Sequence, residues 1–146
     1  MKREGLRLRW SGPCWKPLYS AACGVNRDAE SGGVPLYRTD AVLASVSSDG
    51  LTLTAPELAS RADGFFTAGT VEVAGQRRTV LSHVGSSLVL MSPIGSLSPG
   101  APVVAYKGCN HGTGAGGCLD FNNRRRFGGT PNVKKKNIFL VGIQDV

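Results

Sequence analysis

The sequence predicts an all-β fold, a small barrel or sandwich of about six short strands, on three observations. The 146 residues carry 20 glycines and 8 prolines, which favours short elements joined by tight turns. Only 18% of the residues are charged, too few for long solvated helices. Stretches of alternating apolar and polar residues recur through the middle of the chain, separated by Gly, Ser and Asp. With 41% hydrophobic residues the chain is long enough to bury a core of its own, so one domain spanning 1–146 is expected. Its parts are an irregular cysteine-bearing segment (1–40), a β core (41–106) and a Cys- and Gly-rich basic segment (107–146).

The first part is rich in Gly, Pro and Ser, holds Cys14 and Cys23, and shows no sustained period. From Ala41 the pattern changes. Ala41 to Val46 and Leu51 to Thr54 alternate around Ser48-Asp49-Gly50, which reads as a hairpin. Ala55 to Gly64, with Pro56 near its start and Gly64 after its end, is the one stretch that suits a helical turn or two. Three strands in meander order follow, Phe65 to Ala74, Arg78 to Val84 and Ser87 to Met91, with Gly75-Gln76 and Gly85-Ser86 as turns. After the turn-rich Ile94 to Gly100, a last strand over Ala101 to Tyr106 runs directly towards Cys109. About six strands in a small domain fit a closed or folded-over sheet, which hides its edges. The apolar stretch Ile138 to Ile143 reads as an edge strand or a subunit contact.

The net charge of +7 is uneven. Lys2, Arg3, Arg7 and Arg9 open the chain, and Arg124, Arg125, Arg126, Lys134, Lys135 and Lys136 crowd its end. Such clusters suit phosphates, whose neutralisation releases counterions, or acidic neighbouring subunits; the second is the expectation, and nucleic acid is not an expected partner. No apolar core follows the N-terminal charges, so a secretory signal is not expected, and no apolar run is long enough for a membrane span. There is no GxSxG, HExxH or phosphate-binding loop, and the two histidines lack a sequence context for a base, so no enzyme is expected. The run Gly112 to Gly117 lacks the strand and helix frame of a dinucleotide site. His83, inside a strand pattern, reads as a half-buried packing or surface residue.

The cysteines form two pairs, Cys14 with Cys23 and Cys109 with Cys118, flanking the β core. Neither pair has the short spacing of a zinc knuckle. Spacing alone leaves open a four-cysteine metal site, two disulfides, or free buried thiols. Should the barrel bring its ends together, four thiolates suit tetrahedral zinc or an iron–sulfur cluster. The loop Asn110 to Gly117 is Gly-rich, so backbone amides there, with Gly108, His111, Gly116 and Gly117 as candidates, could approach the sulfurs and donate hydrogen bonds. A zinc-bound basic module that binds nucleic acid is the alternative reading of the same cysteines.

Around these cysteines the chain resembles a known family. Gly108-Cys109-Asn110-His111, then Cys118 to Asn123, then Arg126-Phe127-Gly128-Gly129-Thr130-Pro131 resemble the "GCD…C..RF.N..NFGGFP" signature of phage tail-tip proteins. That family includes the lambda-type L minor tail proteins and the C-terminal hub domains of related phages and gene transfer agents. Cys14 to Tyr19 with Cys23-Gly24 resemble its "CPxxY…CG" element, and Phe66 to Val71 its "FxxGxV" strand. Asn110 stands where the signature has Asp, Thr130 replaces the second aromatic, and the order of Asn and Arg between Phe121 and Phe127 is shifted. The resemblance implies a structural tail-tip or baseplate hub protein, assembled in the host cytoplasm, whose Cys14, Cys23, Cys109 and Cys118 coordinate a [4Fe–4S] cluster. Implied partners are other tail-tip proteins (hub, distal tail protein, central fibre, tape measure protein) in a threefold assembly. Many relatives carry a further hub domain before the first cysteine, and with only thirteen residues ahead of Cys14 the resemblance implies the expectation that another chain supplies it.

Overall fold

The computed structural model describes residues 13–129. The basic residues Lys2, Arg3, Arg7, Arg9, Lys134, Lys135 and Lys136, the signature residues Thr130 and Pro131, and the stretch 138–143 lie outside the described residues.

The fold is all-β. Its strands are β1 (Glu30–Ser31), β2 (Val34–Pro35), β3 (Arg38–Val42), β4 (Ser45–Val46), β5 (Thr52–Thr54), β6 (Thr70–Val73), β7 (Gln76–Val84), β8 (Ser87–Leu90) and β9 (Pro102–Tyr106). β1 and β2 form a small hairpin, so the expected irregular first segment holds structure after all, and β3 begins at Arg38. The other seven form one antiparallel sheet in the order β3-β9-β6-β7-β8-β5-β4. Its two end strands are arms of one bent chain. Leu43 donates to Ala101 O and Ala44 to Thr54 O, so the bend touches both sides and the sheet rolls back on itself, leaving little free edge. The expected single strand over Ala41 to Val46 is thus two strands, because one chain has to serve two neighbours at the seam.

Val71 and Val73 point inward from β6, as the pleat requires. β7 does not alternate simply. Val80 faces Leu90 but Ser82 faces Val89, so Leu81 is an extra residue, a bulge that reverses the inward set for the rest of the strand. His83 is therefore turned into the core at 2% exposure, correcting the half-buried reading from simple alternation. Its Nε2 lies 2.9 Å from Gly85 O, its ring meets the edge of Phe66 at 4.7 Å between centroids, and its Nδ1 has no partner. The β6–β7 turn is Ala74-Gly75, both left-handed, as a two-residue hairpin turn matched to the strand twist requires. The expected helix is a 3-10 turn, Pro56–Ser60, that drives Leu58 into one core with Leu43, Leu53, Phe66, Val80, Leu88 and Val103. The expected strand over Phe65 to Ala74 shortens to Thr70–Val73, because Phe65 to Gly69 is spent on turns.

Candidate metal centre

A second, separate cluster of buried residues lies where the two ends of the described chain leave the sheet, and it contains Cys23, Val25, Cys109 and Phe121. β9 delivers the C-terminal strip to this place. Past Tyr106, Lys107 donates to Tyr37 O at 2.7 Å and Gly108 to Phe65 O at 3.1 Å. A Cβ at Gly108 would collide with the Thr67 carbonyl, so only glycine lets the chain pass this close to the 65–69 turn. Beneath lies an aromatic floor. Phe121 packs against Tyr37 (4.8 Å between centroids) and Tyr19 (6.1 Å), and Tyr19 meets Tyr106 edge-on. The Tyr19 hydroxyl donates to Lys107 O at 2.7 Å, tying the N-terminal segment to the C-terminal strip. Lys107 Nζ sits over the Phe65 and Phe121 rings and pairs with Asp120 at 3.1 Å. The lysine hydrogen bond holds the Asp120 carboxyl below its ordinary range.

Above this floor the two ends are cross-bonded. Cys14 N–H donates to His111 O at 2.8 Å, and His111 Nδ1 lies 2.8 Å from Cys14 O, which makes that nitrogen the donor. The ring of His111 is thus held by backbone through the very nitrogen nearest the chain. Asn123 Nδ2 donates to Cys23 O at 2.8 Å, and Lys16 Nζ to Arg126 O at 2.6 Å. Gly24 is left-handed and covered by the Arg126 guanidinium, which would collide with any side chain there.

All four cysteines are buried and none is in a disulfide, so of the readings that spacing left open the paired one is not seen. Burial pushes the Cys109 thiol up; the His111 amide opposes this, while Cys23 and Cys14 add to it. Burial also raises Cys118, and Cys109, Cys14 and Cys23 raise it further, against Lys16. Ionised thiolates repel one another, and a bound cation would relieve that repulsion. Three donors reach sulfur: Gly128 N–H to Cys14 Sγ (3.2 Å), His111 N–H to Cys109 Sγ (3.3 Å) and Asn123 Nδ2 to Cys23 Sγ (3.7 Å). At Cys109 the His111 N–H favours the thiolate form.

Of the amides expected to reach sulfur, only that of His111 does. Gly108 donates to Phe65 O, Gly116 to Asp120 Oδ2 and Gly117 to Gly114 O. The glycines of the 110–117 loop serve a different purpose, closing the loop around the Asn110 side chain, whose Oδ1 accepts from Gly112 and whose Nδ2 donates to Ala115 O. Sequence reasoning missed Asn123 and Gly128 as sulfur donors; both lie within the stretch resembling the tail-tip signature, which was their only signal.

The donor set suits a thiolate-bound iron–sulfur cluster. It offers four buried, unpaired soft sulfurs, and N–H donors point at three of them. Among the described residues no three His, Cys, Asp or Glu side chains are drawn together tightly enough to grip a single ion.

Fold and site together define a small all-β domain built on one rolled sheet, with four buried, unpaired cysteines in the segments that flank it. The chain belongs to the family described as Phage conserved hypothetical protein BR0599, whose model matches residues 62–137, the stretch from the end of the 3-10 turn through both C-terminal cysteines. No curated protein matches it. Its fold is similar to that of a chain in a structure described as "Virion of native gene transfer agent (GTA) particle", with a TM-score of 0.75 and 23% identity, over 90% of this chain and 46% of that one. The chain thus spans about half the length of that virion chain.

Proposed function

We propose that this chain is a non-enzymatic structural component of a phage-type virion, at the tail tip, whose Cys14, Cys23, Cys109 and Cys118 hold a [4Fe–4S] cluster. The observation that carries the reading is that Cys14, Cys23, Cys109 and Cys118, two before the sheet and two after it in sequence, are all buried and unpaired, with Cys23 and Cys109 packed in one cluster. Membership of a phage family and the likeness of fold to a chain of a gene transfer agent virion support the structural role. The resemblance to tail-tip proteins supports the place at the tip, with hub, distal tail, central fibre and tape measure proteins as neighbours.

When bound, the cluster supplies a covalent cross-link between the two ends, and its binding energy adds to folding because only the folded chain presents the four sulfurs together. The chain's own residues prepare that site. Cys14 and His111 bond each other's backbone, Asn123 ties Cys23, and the aromatic floor of Tyr19, Tyr37 and Phe121 keeps water from below.

Two measurements test the reading. Anaerobically purified protein should show the broad visible absorbance of an iron–sulfur cluster and lose it on Cys109→Ser; an absorbance that survives the substitution contradicts the ligand assignment. Purified particles from cells expressing a tagged chain should carry the tag at one end of the tail, and a tag absent from particles contradicts the virion role.

A further inference from the structure

Next to the cysteine layer the surface carries a concentration of positive charge that the cluster reading does not use. Arg124–Arg126 form one 3-10 turn, and all three are exposed. With about three residues per turn their side chains leave the axis in three different directions. Together with Leu119, Asn122 and Asn123 they line a concavity of about 570 Å³. Leu119, at 52% exposure, is an apolar side chain on this otherwise polar wall. Every ion pair among the described residues lies elsewhere: Asp28, Asp40 and Glu72 engage Arg27, Arg38 and Arg77, and Asp120 engages Lys107. Outside the triplet the described residues hold nearly equal numbers of basic and acidic side chains, so among the described residues the excess positive charge sits on this wall.

The wall is rigidly hung. Asn122 N–H donates to Leu119 O, Asn123 N–H to Cys118 O, and Asn123 Nδ2 to Cys23 O, so the concavity is fixed to the cysteine layer on two sides. Arg126 is partly committed to packing, its guanidinium lying over Gly24. Arg124 and Arg125 are left with their forks of donors presented to the outside.

From this we infer that the 119–126 concavity is a docking site for an acidic, leucine-containing segment of a partner protein, with Arg124 and Arg125 taking carboxylates and Leu119 an apolar side chain. Guanidinium forks match carboxylates two bonds at a time, and an apolar contact beside them suits a peptide. A nucleic acid strand would instead call for an extended basic track with aromatic platforms, and among the described residues no aromatic one lines this concavity. The wall hangs from the cysteine layer, but its test reads peptide binding at the arginines while the cluster is read by its absorbance, so the two readings fail separately.

The test uses the full chain, a labelled peptide of alternating glutamate and leucine, and an oligothymidylate of equal charge, followed by fluorescence anisotropy at two salt concentrations. The peptide should bind saturably and more tightly than the oligonucleotide, and Arg124→Ala with Arg125→Ala should weaken it about tenfold or more. A control variant with Lys134, Lys135 and Lys136 all replaced by Ala should retain most of the binding. Absence of saturable peptide binding, affinity unchanged in the arginine variant, a loss that follows only the lysines, or a preference for the oligonucleotide would each overturn the inference.

Discussion

Replacing Phe121 by Ala should unfasten the chain ends without unfolding the barrel. Phe121 is buried between Tyr37 and Tyr19 and packs against Cys23 and Cys109, in a cluster separate from the barrel core built on Phe66, Leu53 and Val103. Phe→Ala in a packed site costs about 3–5 kcal/mol through lost transfer and the cavity left behind. The lower end applies here, because the site lies in an end layer whose loops can partly collapse into the gap. About 3 kcal/mol is a factor of roughly 150 in a local opening equilibrium. Native-state hydrogen exchange reads that factor residue by residue. In the metal-free chain, protection of the Cys118 and Asn123 amides should fall about a hundredfold, while amides of β6 and β7 stay within a few-fold of their starting values. Equal loss in both regions would refute the separation of barrel and end layer, and a loss under tenfold would refute the role given to Phe121.

Gly108→Ala drives a methyl into the Thr67 carbonyl at the tightest crossing between barrel and end layer, and should cost about 1–3 kcal/mol in urea denaturation; a midpoint equal to that of the parent would show that the crossing is looser than described. Tyr19 has its phenol pushed well up, chiefly by burial and then by Tyr37. The folded state therefore holds that proton more tightly than the unfolded one, so its contribution to stability is complete below about pH 10 and is lost as pH rises through the folded value. Tyr19→Phe should cost about 1 kcal/mol at pH 8, from the hydrogen bond to Lys107 O, and should flatten the decline between pH 10 and 12; an unchanged alkaline slope would contradict the assignment.

The strand pattern from Arg78 to Tyr106 was legible because one face of each strand is buried and the turns use Gly with its neighbours at matching places. Two features were hidden. The bulge at Leu81 has no mark in composition, yet it reverses the inward face and buries His83. The bend at Leu43 and Ala44 reads as a continuous strand because its residues suit either side of the seam. At the candidate centre, the cysteines and the Gly-rich loop could be read in the sequence, while the approach of the two flanking segments was a condition that the four-cysteine reading needed and the sequence did not supply. The direction of each amide could not, since three left-handed residues between 108 and 122 decide it, His111, Gly116 and Asn122. The glycines expected to donate to sulfur instead let backbones pass closely and wrap Asn110, a role that looks identical in sequence.

Whether the four cysteines hold one iron–sulfur cluster is tested most directly by the metal content of freshly isolated, anaerobically handled protein. Iron and acid-labile sulfide in equal amounts, at the level of one [4Fe–4S] cluster per chain and absent from the variant with Cys14, Cys23, Cys109 and Cys118 all replaced by Ser, is the predicted result. One zinc per chain without sulfide, or full-length folded protein with neither metal, would contradict it.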